Sequence, residues 1–379
     1  MRLSWRAVIK THAYKTNGKK GAMHNVPPRV VRIALVGFGS VGKALAAIIR
    51  DEGDRIRNEC GVDIVITGIA TRRFGSRSSD DGIDPTDLLD RAHRGADQGP
   101  PGMSAARFAG TCPADLIVET LPLEPWTGES ATEVIRASLQ AGRDVVSANK
   151  GPVAHALDDL RSLAVRHGVS YRFESAVADG LPVFNLIEHT LPAAGITEIS
   201  GLFNSTSNVV LDALAEGVSL SDAIAQAVSE GIAETDPSFD LDGLDAAVKL
   251  SALCAAVWGR RLPLENVEVE PVDESVRARA VAARESGGRL VSMGTISLVD
   301  GAPANARVRL ADIKPENMFY PLRGASLGLC IKSELLCPVS VMSHRPTVKD
   351  TAYGLLSDIL SMARGSYPTR GTRLAYDAG

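Results

Sequence analysis

Val30-Val31-Arg32-Ile33-Ala34-Leu35-Val36-Gly37-Phe38-Gly39-Ser40-Val41-Gly42, running on into Lys43-Ala44-Leu45-Ala46-Ala47-Ile48-Ile49, decides the fold class. Val30 to Val36 is a near-continuous apolar run, as a parallel strand buried on both faces requires. It leads into a glycine turn and then into a good helix. Alone, G-x-G-x-x-G spacing says little, but between a strand and a helix each glycine has a task. Gly37 permits the tight turn, and Gly39 lets the backbone approach a pyrophosphate. Gly42 lets helix and strand pack closely, with the anion at the helix N-terminus. With Phe38, Ser40 and Val41 they form the expected dinucleotide cradle. A glycine-rich turn without a ligand is the competing reading.

The next strand, Ile64 to Ala70, runs into Thr71-Arg72-Arg73. A site that prefers NAD would end this strand with Asp or Glu to grip the ribose hydroxyls. Two guanidiniums suit the 2′-phosphate of NADP instead, because planar forks bind phosphate well. A solvated basic turn is the alternative. Residues 76–102 are rich in Asp, Gly, Ser and Arg and read as surface loops, with a short helix at Thr86 to Arg94. Leu116 to Thr120 is another buried strand. A helix from Ser130 to Ala141 stops at Gly142, a C-cap, and the strand Asp144 to Ser147 delivers Ala148-Asn149-Lys150-Gly151-Pro152. Doubly wound sheets bind ligands beyond the carboxyl ends of their strands. Thr120 and Lys150 both fall there, beside the expected nicotinamide.

Past Pro152 the pattern changes. A helix from Ala154 to His167 precedes a strand Tyr171 to Glu174, a tight segment Ser175 to Pro182 and a helix Val183 to Thr190. Ile196 to Phe203 alternates, and Asn204-Ser205-Thr206-Ser207-Asn208 opens another helix. Between Arg289 and Leu310 two alternating runs flank Asp300-Gly301, a hairpin signal. The expected fold is α/β: a Rossmann-type doubly wound parallel sheet, plus an α+β domain with an open, mainly antiparallel sheet and helices on one face. Residues 29–150 are assigned to dinucleotide binding, completed by a C-terminal helix over 346–366, and 151–345 to substrate binding. Residues 1–28 carry Arg2, Arg6, Lys10, Lys15, Lys19 and Lys20 with no opposing acid. They read as a disordered extension, with no apolar stretch of signal-peptide length.

Glu234 to Lys249 places five carboxylates and one lysine in sixteen residues. Its first part has no apolar period and reads as a loop. From Gly243 onward, Leu244, Ala247, Val248 and Leu250 fit a helix with one buried stripe. Asp245 and Lys249 are then i and i+4, on one face. An acidic loop feeding such a pair suits a small cationic polar substrate held beside a proton-transfer group. An ordinary surface ion pair is the plainer reading.

Composition narrows the classes. A chain of 379 residues is long enough for two domains with real cores, and a net charge of −4 gives no reason to expect nucleic acid or an anionic membrane as partner. No apolar run approaches the roughly 20 residues of a membrane-spanning helix. Cys60, Cys112, Cys254, Cys330 and Cys337 lack C-x-x-C spacing and read as reduced thiols of a cytoplasmic protein, not a zinc site or disulfide frame.

In order, GFGSVG, ETLP, ANKGPVA, FESAVADGLPV, GLFNSTSNVV and ETDPSFDLDGLDAAVKL resemble homoserine dehydrogenase, over about Val31 to Leu250. The acid-rich motif is the most specific and the glycine fingerprint the least. The resemblance implies the short, single-function form, interconverting L-homoserine and L-aspartate 4-semialdehyde with NAD(P). It implies Lys249 as the proton-transferring lysine and Asp245 as the carboxylate that holds the substrate. Glu234 grips the substrate's amino group, Asp240 is a further acid of the motif, and Lys150 lies near nicotinamide and substrate. Glu174, Val177, Asp179 and Leu181 match a segment that binds a monovalent cation such as sodium, mostly through backbone carbonyls. A homodimer is also implied, its second sheet completed or covered across the interface. The chain departs from the family at Ser205 to Asn208, at Ala178-Asp179-Gly180, and at Ser343 to Asp350, bulky and charged where a glycine-rich loop is usual. That leaves open a dehydrogenase of the same fold acting on a related small hydroxy or oxo acid. A nucleotide-binding regulatory protein without turnover is the rival from another class, and the intact Lys150, Asp245 and Lys249 speak against it.

Overall fold

The computed structural model describes residues 27–72, 75–95 and 103–365. The basic extension up to residue 26, Arg73, the stretch 96–102 and the final residue of the expected 346–366 helix lie outside them. The first layer is built from β1 (Arg29–Val36), α1 (Ser40–Cys60), β2 (Val62–Thr71), β3 (Gly75–Ser78), α2 (Pro85–His93), α3 (Ala105–Thr111), β4 (Leu116–Glu119), α4 (Glu129–Gln140), β5 (Asp144–Ser147), α5 (Lys150–His167) and β6 (Tyr171–Arg172). Its strands run in the order β3-β2-β1-β4-β5-β6, all parallel except β3, which pairs antiparallel with β2. Along β1, Val31, Ile33 and Leu35 pack with α1, while Ala34 and Val36 join the core on the other face. Burial on both faces is why this strand reads as an unbroken apolar run.

Four details differ from the reading of the sequence. The helix expected over 43–49 continues to Cys60, because its polar half is laced by Arg55–Glu59 and Arg57–Asp54 ion pairs. Residues 76–78 of the expected surface loop join Gly75 to form β3. α5 begins at Lys150, not Ala154: Asn149 caps it, accepting from the Gly151 N–H at 3.1 Å. Pro152 does not delay the start, since a first-turn N–H has no helical partner to lose. Finally, Tyr171 and Arg172 pair with Val145 and Val146, so the first sheet continues past the boundary expected at 150.

The second layer follows. α6 (Ser175–Ala178) and α7 (Val183–Asn185), the latter running into a π turn at Leu186–Thr190, lead to β7 (Ile196–Leu202). Then come α8 (Ser205–Ala215), α9 (Leu220–Ser229), α10 (Ser238–Leu241), α11 (Leu244–Trp258), β8 (Glu268–Val269), α12 (Arg277–Glu285), β9 (Arg289–Val299), β10 (Ala302–Ile313), β11 (Leu327–Ser333), β12 (Val339–Ser343) and α13 (Val348–Ala363). The sheet order is β12-β11-β7-β9-β10-β8, antiparallel except where β8 joins β10. Asp300 (φ 50°) and Gly301 (φ 74°) make the two-residue hairpin turn that needs left-handed backbone at both positions.

α8, α11 and α12 cover one face of this sheet. α11 also packs on α5, so it is buried all round from Asp245 to Trp258, with Lys249 half-buried, instead of along the single stripe expected. The expected loop before it contains the short α10. α13 returns to the first layer and sets Ala352, Leu355, Leu356 and Ile359 against the α1 core. Among the described residues no helix is long and apolar enough to cross a membrane.

Candidate active site

The glycine turn sits at the carboxyl edge of the first sheet. Gly37 has φ 95°, and a Cβ there would fall 2.5 Å from the Thr120 carbonyl oxygen, so no other residue fits without displacing β4's exit. Thr120 fixes the turn from the other side, its N–H on the Val36 carbonyl at 2.8 Å and its hydroxyl on the Gly37 carbonyl at 3.1 Å. Phe38 and Val41 pack on the α1 core, and a Cβ on Gly42 would stand 3.0 Å from the Gly37 oxygen. A Cβ on Gly39 would meet nothing. Gly39 and Ser40 are exposed at the start of α1, whose first N–H groups lack helical acceptors. Open space before free N–H donors fits the phosphates of a dinucleotide. Arg72 lies exposed on the turn after β2; its expected companion Arg73 is outside the described residues.

The same edge carries Lys150 as the first residue of α5. Its ammonium meets Asp245 Oδ1 at 2.8 Å, and Lys249 meets Oδ2 at 2.8 Å. Lys249 also donates to the Phe203 carbonyl at 2.5 Å. Asn204, two residues past β7 and capping α8, donates its amide to Asp245 at 2.9 Å and to Asp240 at 2.6 Å. Two ammoniums and two carboxylates thus form one cluster, drawn from α5, α10, α11 and the β7–α8 turn.

Burial works against the charge on Asp245, but the two lysines outweigh it and hold its carboxyl well below the usual range. Burial likewise opposes the charge on Lys249, and Asp245 outweighs that, raising the ammonium above an ordinary lysine. Asp240 moves up, through burial and then the Asp245 charge, while its bond from Asn204 pulls the other way. The result is a locked anion beside a persistent proton donor.

The other expected residues distribute unevenly. Glu234 is exposed on the loop before α10, and among the described residues no hydrogen bond or ion pair joins it to this cluster. Glu174, Val177, Asp179 and Leu181 do share one turn, clamped by α13: Thr351 donates to Asp179 at 3.0 Å, and Ser175 donates to the Thr351 carbonyl at 2.7 Å. The Glu174 carboxylate accepts the Phe184 and Asn185 N–H groups at 2.8 and 2.7 Å. Both side chains are therefore turned to protein donors, and what the turn can offer a cation is carbonyl oxygen. Asn204 escaped the reading of the sequence except as the start of a helix. A cap residue directly after a strand that ends in the cleft was the available signal.

A model of the family described as homoserine dehydrogenase matches residues 182–360, and one described as the NAD-binding domain of homoserine dehydrogenase matches residues 37–174. The chain is 30% identical over 334 residues to the NAD(+)-dependent homoserine dehydrogenase of Pseudomonas canavaninivorans, covering 87% of this chain and 95% of that protein. The crystal structure of homoserine dehydrogenase from Thermoplasma acidophilum superposes with a TM-score of 0.77 at 27% identity, covering 89% of this chain and 100% of that one. A hyperthermophilic archaeal homoserine dehydrogenase in complex with NADPH gives 0.75 at 27%, covering 89% and 99%.

Proposed function

The chain belongs to the homoserine dehydrogenase family, and from that premise we propose how its own residues carry the reaction. It is a nicotinamide-dependent oxidoreductase acting on a CH–OH group, interconverting L-homoserine and L-aspartate 4-semialdehyde; the family's general role lies in threonine and methionine biosynthesis. The bound nicotinamide supplies or takes the hydride. In the reducing direction Lys249 gives a proton to the aldehyde oxygen as it becomes an alkoxide. Asp245 keeps that lysine cationic and aimed, and Lys150 adds a second positive group beside the developing charge. In the oxidising direction Lys249 first loses its proton and then accepts the one on the substrate hydroxyl. Glu234 and Asp240 face the substrate's ammonium. The supporting observation is the convergence of Lys150 and Lys249 on one carboxylate, at 2.8 Å each.

An assay with homoserine and each nicotinamide cofactor tests this reading. Oxidation with at least one is expected, with turnover lost in Lys150→Ala and Lys249→Ala. No oxidation with either cofactor would overturn it.

NADP is the preferred cofactor in this reading, because Thr71, the last residue of β2, is followed in the sequence by Arg72 and Arg73 and not by an acid. Replacing both by Ala should raise KM for NADP at least tenfold and leave KM for NAD nearly unchanged, the loss expected for exposed charge-assisted contacts of about 1.5–3 kcal/mol each. The dinucleotide unit comprises residues 29–172 together with α13. A sodium-like cation rests on the carbonyls of Glu174, Val177, Asp179 and Leu181; melting in sodium against a bulky organic cation tests it. A second copy covers the outer face of the second sheet, where half-buried Glu198, Met293 and Thr295 and exposed Lys332 line a groove, and sedimentation tests the dimer. The free cysteines suit a reducing cytoplasm, which fractionation would check.

A further inference from the structure

Glu119 is absent from the chemistry just described, yet it is wholly buried at the end of β4. In the parallel register it stands opposite Ser147, the last residue of β5. Its Oε2 accepts the Ser147 hydroxyl at 2.5 Å; its Oε1 accepts the Leu121 N–H at 2.7 Å and the Asn149 side-chain amide at 3.4 Å. Ser147 Oγ in turn accepts the Asn149 N–H at 2.9 Å. Asn149 is the cap of α5, and the residue after it is Lys150. Three polar groups of that cap are thus tied down: its N–H on Ser147, its amide NH₂ on Glu119 and the Leu121 carbonyl, and its Oδ1 on Gly151.

Joining β4 to β5 does not explain the carboxylate, because the backbone ladder already pairs these strands. Nor does it neutralise a cation: among the described residues its donors are a hydroxyl, an amide and an N–H. A buried carboxylate without a cation is costly, and here burial pushes the carboxyl up to about 7. The other titratable group facing it is Tyr171 on β6, whose hydroxyl is kept neutral by burial and by the Glu119 charge, with Arg161 of α5 acting the other way. A group retained against such a cost, at the root of the turn that launches a catalytic lysine, is there for geometry.

We infer that Glu119 is a positioning residue: through Ser147 and Asn149 it fixes the first turn of α5, so that the Lys150 ammonium reaches Asp245. This rests on the role given to Lys150 above.

The test is Glu119→Gln in the full chain, close to isosteric but with a donor where one acceptor stood. Ser147 Oγ or the Leu121 N–H then faces another donor and the turn relaxes. The expected result is a fall of at least tenfold in kcat for homoserine oxidation, with KM for the cofactor within twofold of wild type. Tm at pH 8 should be equal or higher, since a buried charge has gone. In the wild type, kcat/KM should decline as pH drops through about 7, the value to which burial lifts Glu119, and the variant should lack that limb. Wild-type kcat in the variant overturns the inference, as does a lower Tm with kcat normal per folded molecule and the limb unchanged. Should Glu119→Gln not fold, Asn149→Ala breaks the same relay one link later; the same kcat loss supports the inference and unchanged kcat overturns it. Lys150→Ala separates the causes. If it keeps wild-type turnover, the role of Lys150 fails and takes the inference with it; if only Glu119→Gln keeps it, the inference alone fails.

Discussion

Asp245→Asn is the perturbation that asks most of the site. The carboxylate meets Lys150 and Lys249 at 2.8 Å each, with the three side chains 9–17% exposed. At 2.8 Å in a medium of effective dielectric about 20, one ion pair is worth about 6 kcal/mol. Water at the partly open mouth reduces this to about 2 kcal/mol. That attraction is what lifts Lys249 above an ordinary lysine against its burial. Without it burial prevails, and the ammonium loses its proton at lower pH than in the wild type. A proton donor exists only below its own pKa. In the variant, therefore, aldehyde reduction should fall off at lower pH than in the wild type, which holds its rate further into the alkaline range. Following reduced-nicotinamide absorbance from pH 6 to 10 gives both profiles. The variant should also melt several degrees lower, because two half-buried ammoniums lose their common anion. A variant whose rate and pH profile parallel the wild type would refute Asp245 as the group that keeps Lys249 charged.

Lys249→Ala should lower kcat by about 10²–10⁴-fold, the usual range for a positioned proton-transfer group, with cofactor Kd by fluorescence titration unchanged; wild-type turnover would pass the role to Lys150. Gly39→Ala should leave the apo melting temperature in place and weaken the dinucleotide, because its Cβ enters only open space. Gly37→Ala should lower the melting temperature itself, since its Cβ strikes the Thr120 carbonyl and its backbone is left-handed. Asn204→Ala strips a donor from both Asp240 and Asp245 and should cost about 1–3 kcal/mol in urea unfolding. Glu119 sits at about 7 when folded against an ordinary 4.5, so the folded chain holds the extra proton between those values. Its contribution to stability is therefore lost as pH rises through that window, by about 3 kcal/mol at most, and denaturation from pH 5 to 8 should show a flatter profile in Glu119→Gln.

Much of this was legible from residue pattern. β1 and its glycine turn could be read because burial on both faces forces a continuous apolar run, and Asp300-Gly301 because a two-residue hairpin needs left-handed backbone. The Asp245–Lys249 pair followed from helix spacing alone. What was hidden depends on packing between distant segments. α11 looked amphipathic until α5 closed over its outer side, and Lys150 looked like a loop residue until Asn149 was seen to cap α5. β3 is four residues long and polar, and owes its form to the edge of β2. The bridging of Asp240 and Asp245 by Asn204 joins positions some forty residues apart, beyond any local period.

The return of α13 to the first layer has a consequence for how the protein is made. The α1 side of β1 is finished by Ala352, Leu355, Leu356 and Ile359, more than three hundred residues after Val31. On the ribosome that apolar surface stays uncovered until nearly the whole chain has emerged, and at about 5–20 residues per second the wait is tens of seconds. The N-terminal layer is thus the first to be synthesised and the last to close. A chaperone that shields exposed apolar strands has its longest opportunity there, and a stop codon before Val348 would release a chain with this core open, visible as dye binding and rapid proteolysis.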